Sequence, residues 1–106
     1  MSAKSGLLTI ILMILVIIGC RNPPPAFQTG MASFYSDSFE GKLTANGEIF
    51  SNSEMTAEHR TLSFGTRVRV TNLKNGRAAV VRITDRGPFV VGRILDVSLA
   101  AATQLD

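Results

Sequence analysis

Three hydrophobic patterns divide this chain. From Leu7 to Ile18 every residue but Thr9 is apolar, a run too short for a comfortable bilayer span and suited to the core of a signal peptide. Between Gly30 and Val97 apolar and polar residues alternate in short stretches separated by glycine-containing turns, the period-two mark of half-buried strands. The final stretch, Leu99 to Leu105, is alanine-rich and follows Ser98, which predicts a short capped helix.

Thr66 to Thr71 alternates most cleanly, with Val68 and Val70 on one face and Arg67 and Arg69 on the other. Asn75-Gly76 then closes a hairpin onto Arg77–Thr84. Gly30–Tyr35 reads as a first strand, and Val90–Val97 as another with Gly92 as a bulge. Ser36–Lys42 is loop-like and turns at Gly41, and Asn46-Gly47 makes a second tight turn with Glu48 just beyond it. Glu54–Arg60 predicts one helical turn capped by Ser53, packed on the sheet because it is too short to stand alone. Many short strands, glycine-rich turns and little helix predict a mostly β fold closed into a small barrel.

Length allows one small domain, since the chain has 106 residues. The divisions expected are a signal peptide over 1–19, a spacer over 20–29 and the domain over 30–106. Lys4 precedes the apolar run, which ends in Ile17-Ile18-Gly19-Cys20. This resembles the bacterial lipobox, in which the cysteine is lipid-modified and becomes the new N-terminus. Cys20 is the only cysteine, so no disulfide competes for it. An uncleaved signal anchor is the alternative. Asn22-Pro23-Pro24-Pro25 favours an extended spacer. Arg21, where an Asp commonly means inner-membrane retention, points to the cell envelope on the outer membrane, facing the periplasm.

A net charge of +3 fits contact with an anionic polymer without demonstrating it. The basic residues are scattered, with no stripe interleaved with aromatics, so nucleic-acid binding is not expected. A lone histidine without a free cysteine partner makes a poor metal site, and no metal or cofactor is expected.

Candidate chemistry gathers at Arg82-Ile-Thr-Asp85-Arg86-Gly87-Pro88-Phe89. A β-patterned run delivers Asp85 to a strand end, and Gly87-Pro88 breaks the pairing beyond it. Asp85 either presents a catalytic carboxylate or caps its own turn. Glu48 sits in a similar setting in Thr44-Ala45-Asn46-Gly47-Glu48, and is either a second site acid or an exposed turn residue. Two such acids suit glycosidic-bond chemistry, in which a carboxyl held neutral by burial or a neighbouring carboxylate protonates the leaving oxygen. His59 either orients a carboxylate or sugar, or packs within the fold. An Arg86–Asp85 ion pair would oppose a proton-donor role for Asp85. The aromatic residues read as core, with Tyr35 the first candidate to line a groove.

Gly30-Met-Ala-Ser-Phe-Tyr35, Thr44-Ala-Asn-Gly-Glu48, Ala57-Glu-His-Arg-Thr-Leu-Ser-Phe-Gly-Thr66, Val70-Thr-Asn-Leu73, Asp85-Arg-Gly-Pro-Phe89 and Gly92-Arg-Ile-Leu-Asp-Val-Ser98 occur in order. As a set they resemble the rare lipoprotein A (RlpA) family. The resemblance implies a six-stranded double-psi β-barrel with one or two short helices, similar to expansins and family 45 glycoside hydrolases. It implies an endolytic lytic transglycosylase that cuts peptide-poor peptidoglycan strands between N-acetylmuramic acid and N-acetylglucosamine, leaving 1,6-anhydro ends. The family's activity-linked residues fall on Glu48, His59 and Asp85, with Asp85 as acid/base, Glu48 as second carboxylate and His59 supporting the site or binding glycan. Tyr35, Arg86 and Asn46 are the substrate-binding candidates. Expected partners are glycan strands and, through Cys20, a membrane, and the protein is expected to be a monomer. The family's domain continues past its last helix into a valine-rich strand, whereas this chain ends at Gln104-Leu105-Asp106. A barrel lacking that strand is therefore expected, without the C-terminal SPOR domain that many members carry. The alternatives are a non-catalytic, expansin-like wall binder and an inactive truncated member.

Overall fold

The computed structural model describes residues 8–14, through their backbone pairing, and residues 26–106. Six strands close into a barrel: β1 (Leu8–Ile14), β2 (Ala26–Phe34), β3 (Thr56–Glu58), β4 (Arg67–Asn72), β5 (Ala78–Asp85) and β6 (Arg93–Val97). Their order around the barrel is β1-β2-β6-β3-β5-β4. Two pairs are parallel, β2 with β6 and β3 with β5. The result is the mostly β, six-stranded double-psi barrel expected, with one α-helix, α1 (Leu99–Leu105), and a 3-10 turn at Asp37–Phe39.

The β4–β5 hairpin forms where the alternation predicts it. Val68 and Val70 are fully buried while Arg67 and Arg69 face solvent, and Gly76 takes the positive φ of 73° that the turn requires. From β5 come Ala79, Val81 and Ile83, from β6 Leu95 and Val97, and from β3 and β2 Ala57 and Ala32. Ala101, Ala102 and Leu105 of α1 join this core. Ser98 caps that helix, its Oγ accepting from the Ala101 N–H, and Asn72 and Asn75 both donate to the Leu105 carbonyl. Both helix ends are thereby satisfied.

Three elements differ from expectation. Glu54–Arg60 is no helical turn, because Thr56–Glu58 is the central strand β3, with β5 on one side and β6 on the other. Arg82 N–H donates to the Met55 carbonyl and Ser98 N–H to that of Thr56, and these ladder bonds outweigh one marginal helical turn. The last strand starts at Arg93 rather than Val90. Arg60 donates to the carbonyls of Pro88, Val90 and Arg93 and so holds residues 88–92 in a loop outside the sheet.

The third difference is β1. No strand follows α1 among the described residues, and Leu8–Ile14 closes the barrel instead, pairing with β2 over seven residues and with β4 over five. A signal-peptide core and a barrel strand demand the same thing, an uncharged apolar run, which is why one segment reads as both. Cys20 and the proline spacer lie outside the described residues.

Candidate active site

β3 runs between two strands that each carry an acid at the matching position. Glu58 is the register partner of Asp85 on β5 and of Asp96 on β6. Three carboxyl groups therefore stand in one row across three neighbouring strands. Tyr35, just past the end of β2, reaches into this row. Its hydroxyl lies 3.0 Å from Asp85 Oδ2 and 3.3 Å from Glu58 Oε2. Phe50 stacks on the Tyr35 ring at 4.3 Å and Phe39 meets it edge-on at 5.5 Å, which fixes its direction.

Glu58, Asp96 and Tyr35 line a cleft of about 310 Å³ with Ser36, Phe39, Pro88 and Phe89 at its walls, at the lower end of ligand-site sizes. Phe39 and Phe89 are exposed and offer flat apolar faces there. The cleft wall at 88–92 is the loop that Arg60 clasps.

Asp85 lies one hydroxyl away from the cleft, behind Tyr35. Its Oδ1 accepts from the backbone N–H groups of Ala45 and Arg86, both at 2.9 Å. With Tyr35 that makes three donors on one carboxylate, which also ties the 44–48 loop to the end of β5. Arg86 does not pair with Asp85. Its guanidinium donates to the carbonyls of His59 and Leu62 and stacks over Phe64 at 4.0 Å.

Glu48 faces Arg82 instead, in a two-pronged ion pair at 2.6 and 3.0 Å. The hydrogen bonds from Arg82 and then from Asn46 hold its carboxyl below the usual range. Glu48 and Arg82 border a separate concavity of about 10 Å³, room for water but not for a sugar. His59 is 4 % exposed, and its Nδ1 accepts from the N–H groups of Thr61 and Leu62. The proton is thus left on Nε2, facing Gln28 Oε1 at 2.8 Å. Burial, and then the charges of Arg86 and Arg60, lower its pKa and keep the ring neutral. Among the described residues, no three His, Cys, Asp or Glu side chains are grouped as a metal site.

Burial pushes the Glu58 carboxyl up to about 8, helped by the hydrogen bond and charge of Asp96 and by the charge of Asp85. Burial and the same Glu58 and Asp85 charges push the Tyr35 hydroxyl far upward, so it stays protonated. The cleft thus pairs an acid that keeps its proton at neutral pH with a hydroxyl that bridges to a fixed carboxylate, a set of groups able to give and take a proton at one bond.

A family model described as lytic transglycolase, the double-psi β-barrel type, matches residues 27–106. The chain belongs to this family. Among its curated relatives, a probable endolytic peptidoglycan transglycosylase RlpA from Synechocystis sp. is 60% identical over 73 residues, covering 69% of this chain and 23% of that protein. One from Nostoc sp. is 60% identical over 78 residues, covering 72% and 21%. The endolytic peptidoglycan transglycosylase RlpA of Vibrio cholerae is 49% identical over 85 residues, covering 80% and 32%. The chain spans about a quarter of the length of the first of these relatives.

In this lytic transglycolase domain, then, the Tyr35 hydroxyl meets Asp85 and Glu58 at one place, while the side chains of Glu48 and Asn46 bond to Arg82 and each other, that of His59 to Gln28 and that of Arg86 to the Leu62 carbonyl. Sequence reasoning misses Glu58 and Asp96. Glu58 hides in a segment whose charges suit a helix surface, and Asp96 in a strand where it looks like an ordinary polar alternate. The available signal is register, because a strand at 56–58 between 85 and 96 sets the three acids side by side.

Proposed function

We propose that the barrel cleaves the glycan of peptidoglycan by transglycosylation, splitting N-acetylmuramyl–N-acetylglucosamine linkages to leave 1,6-anhydro ends. The observation that carries this reading is the single Tyr35 hydroxyl hydrogen-bonded to two carboxyl groups, Glu58 and Asp85, at the edge of a sugar-sized cleft. Their nearest oxygens are no further apart than two hydrogen bonds end to end, within the range where two carboxyls serve one glycosidic linkage. The carboxyls gathered on Tyr35 serve the acid–base step together, and Asp85, the acid/base that the RlpA resemblance implies, joins it through the Tyr35 hydroxyl. Phe39 and Phe89 supply apolar faces for the sugar rings, and Tyr35 orients the linkage. Glu48 with Asn46 and Arg82 shapes the 44–48 loop that holds Asp85, and His59 with Arg86 fixes the 59–62 turn beneath the end of β3. The protein works in the cell envelope, tethered through lipid on Cys20 to the outer membrane facing the periplasm; cleavage before Cys20 removes β1, so the anchored form carries β2 to β6 and α1.

The test is incubation of the full chain with peptide-free glycan strands, with products read by mass spectrometry. Anhydromuramyl ends are the expected result. Strands that are bound but left intact would make the protein a wall-binding module instead.

A further inference from the structure

We infer that Glu58 is the residue that hands its proton to the leaving glycosidic oxygen and takes one back, while Asp85 acts on it through Tyr35 and Asp96 holds the proton in place. This rests on the glycan-cleaving reading above and names the group that touches the bond.

Of the two carboxyls on the Tyr35 hydroxyl, only Glu58 lines the cleft. Its surroundings are built for a protonated carboxyl. Asp96 is only 7 % exposed and also lines the cleft. Arg93 occupies its Oδ2 through Nη2 at 2.7 Å, while Asp96 Oδ1 and Arg93 Nε are both buried with no hydrogen-bond partner. A buried carboxylate oxygen with no donor is costly. The Glu58 carboxyl, the register partner of Asp96 across the strand pair, offers a donor on that side only when it carries a proton. The turn above is cut away to admit it: a Cβ on Gly87 would stand 2.8 Å from Glu58 Oε2, and the φ there is +132°. The groups facing Glu58 are Asp96 of β6, Asp85 of β5 and the Tyr35 hydroxyl, and the nearby cation Arg93 is taken by Asp96. With two carboxylates facing it and Arg93 engaged by Asp96, Glu58 keeps its proton up to about pH 8.

The proton count closes within one residue. Glu58 gives its proton to the glycosidic oxygen as the bond from that oxygen to muramyl C1 breaks. The muramyl C6 hydroxyl then forms the new bond to C1, and its proton returns to the Glu58 carboxylate. No water enters, and the carboxyl finishes as it began. Asp85, held by two backbone N–H groups and linked through Tyr35, keeps negative charge close to the positive sugar centre as the bond breaks.

The experiment compares the full wild-type chain with E58Q and D96N on peptide-free glycan strands, and follows the wild type and E58Q by infrared spectroscopy from pH 5 to 10. Wild type is expected to show a protonated carboxyl band that disappears near pH 8 and is missing in E58Q, with turnover falling along the same limb. E58Q is expected to bind glycan but to lose about 10²-fold or more in turnover. In D96N, where one facing charge is gone, the alkaline limb moves to lower pH. A wild type lacking the band overturns the inference, as does E58Q cleaving at a tenth of the wild-type rate or better. A wild type that binds glycan yet releases no anhydro ends overturns the cleavage reading and the donor role with it; the infrared titration then still reports whether Glu58 holds the proton.

Discussion

Replacing Glu58 with glutamine should stabilise the protein, and by an amount that grows with pH. In the unfolded chain this carboxyl ionises at its ordinary value of 4.5, whereas in the barrel it keeps its proton to about 8. Below pH 4.5 both states are protonated and Glu58 favours folding fully relative to its ionised form. As pH rises from there, the unfolded chain releases the proton first, and the folded state loses stability by up to about 1.4 kcal/mol per pH unit. The loss ends near pH 8, where both states are ionised. Full accumulation amounts to about 5 kcal/mol, and roughly 3 kcal/mol of it is present at pH 7. Sharing of the proton with Asp96 and partial solvent contact make these ceilings. Even half of this is a large share of a small domain's stability. Glutamine carries no such titration, and it can still donate to Asp96. Urea unfolding of wild type and E58Q at pH 5, 7 and 9 measures the difference directly, because most other titrating groups cancel. E58Q should gain on wild type at each step from pH 5 to pH 9. Parallel pH dependences, or a wild type that gains on E58Q as pH rises, would refute the argument that Glu58 is held neutral by its two acidic neighbours.

Four further outcomes follow from the same geometry. D85N should abolish product and also lower stability by about 1–3 kcal/mol, since one of its three hydrogen-bond donors loses its acceptor; thermal unfolding alongside the product assay checks both. H59A should cost about 2–4 kcal/mol, because the Thr61 and Leu62 N–H groups lose their acceptor, and its loss of turnover should track the unfolded fraction on a melting curve. G87A should displace the Glu58 carboxyl it would strike, lowering the pH at which the infrared band vanishes. Removing residues 1–19, as cleavage before Cys20 does, takes away β1 and bares the edges of β2 and β4, so sedimentation of the cleaved chain should show self-association, with a lower melting temperature than for the full chain.

Most of the barrel was legible because its strands advertise themselves. Val68 and Val70 alternate with arginines, Asn75-Gly76 is a turn in any setting, and Ser98 announces the last helix. The element that organises the site was not legible, for a physical reason. β3 has three residues, Thr56 to Glu58, too few for a period-two pattern to separate from one helical turn. Its strand character comes from the ladders on either side, which only the assembled barrel supplies. Asp85 was readable from its strand-end position, and Tyr35 as the aromatic residue expected to line a groove. Glu58 and Asp96 were not, because their importance lies in register across strands far apart in sequence. Glu48 and His59 drew notice as isolated chemistry-bearing residues, and the fold pairs Glu48 with Arg82 and His59 with Gln28 and two backbone N–H groups. No sequence pattern says whether a side chain's hydrogen bonds are already spoken for.

The register that conceals the site also explains how so small a barrel can hold an acid at neutral pH. Like charges directly opposite on neighbouring strands are destabilising, and here the central strand faces one on each side. Three ionised carboxyls in a row is the arrangement the fold resists most. Protonating the middle one removes both repulsions at once and gives Glu58 a proton to offer toward Asp96. Arg93 neutralises the outer acid on β6, and two backbone N–H groups hold the outer acid on β5, so the proton is directed to Glu58. An arginine placed opposite Glu58 would relieve the same strain and stabilise the barrel, but it would leave the cleft without a proton to give. The destabilisation expected in wild type relative to E58Q, and the acidity needed to break a glycosidic bond, are therefore one free energy observed in two experiments. A variant that separated them, gaining stability at high pH while keeping both the carboxyl band and full turnover, would break this argument where the two measurements meet.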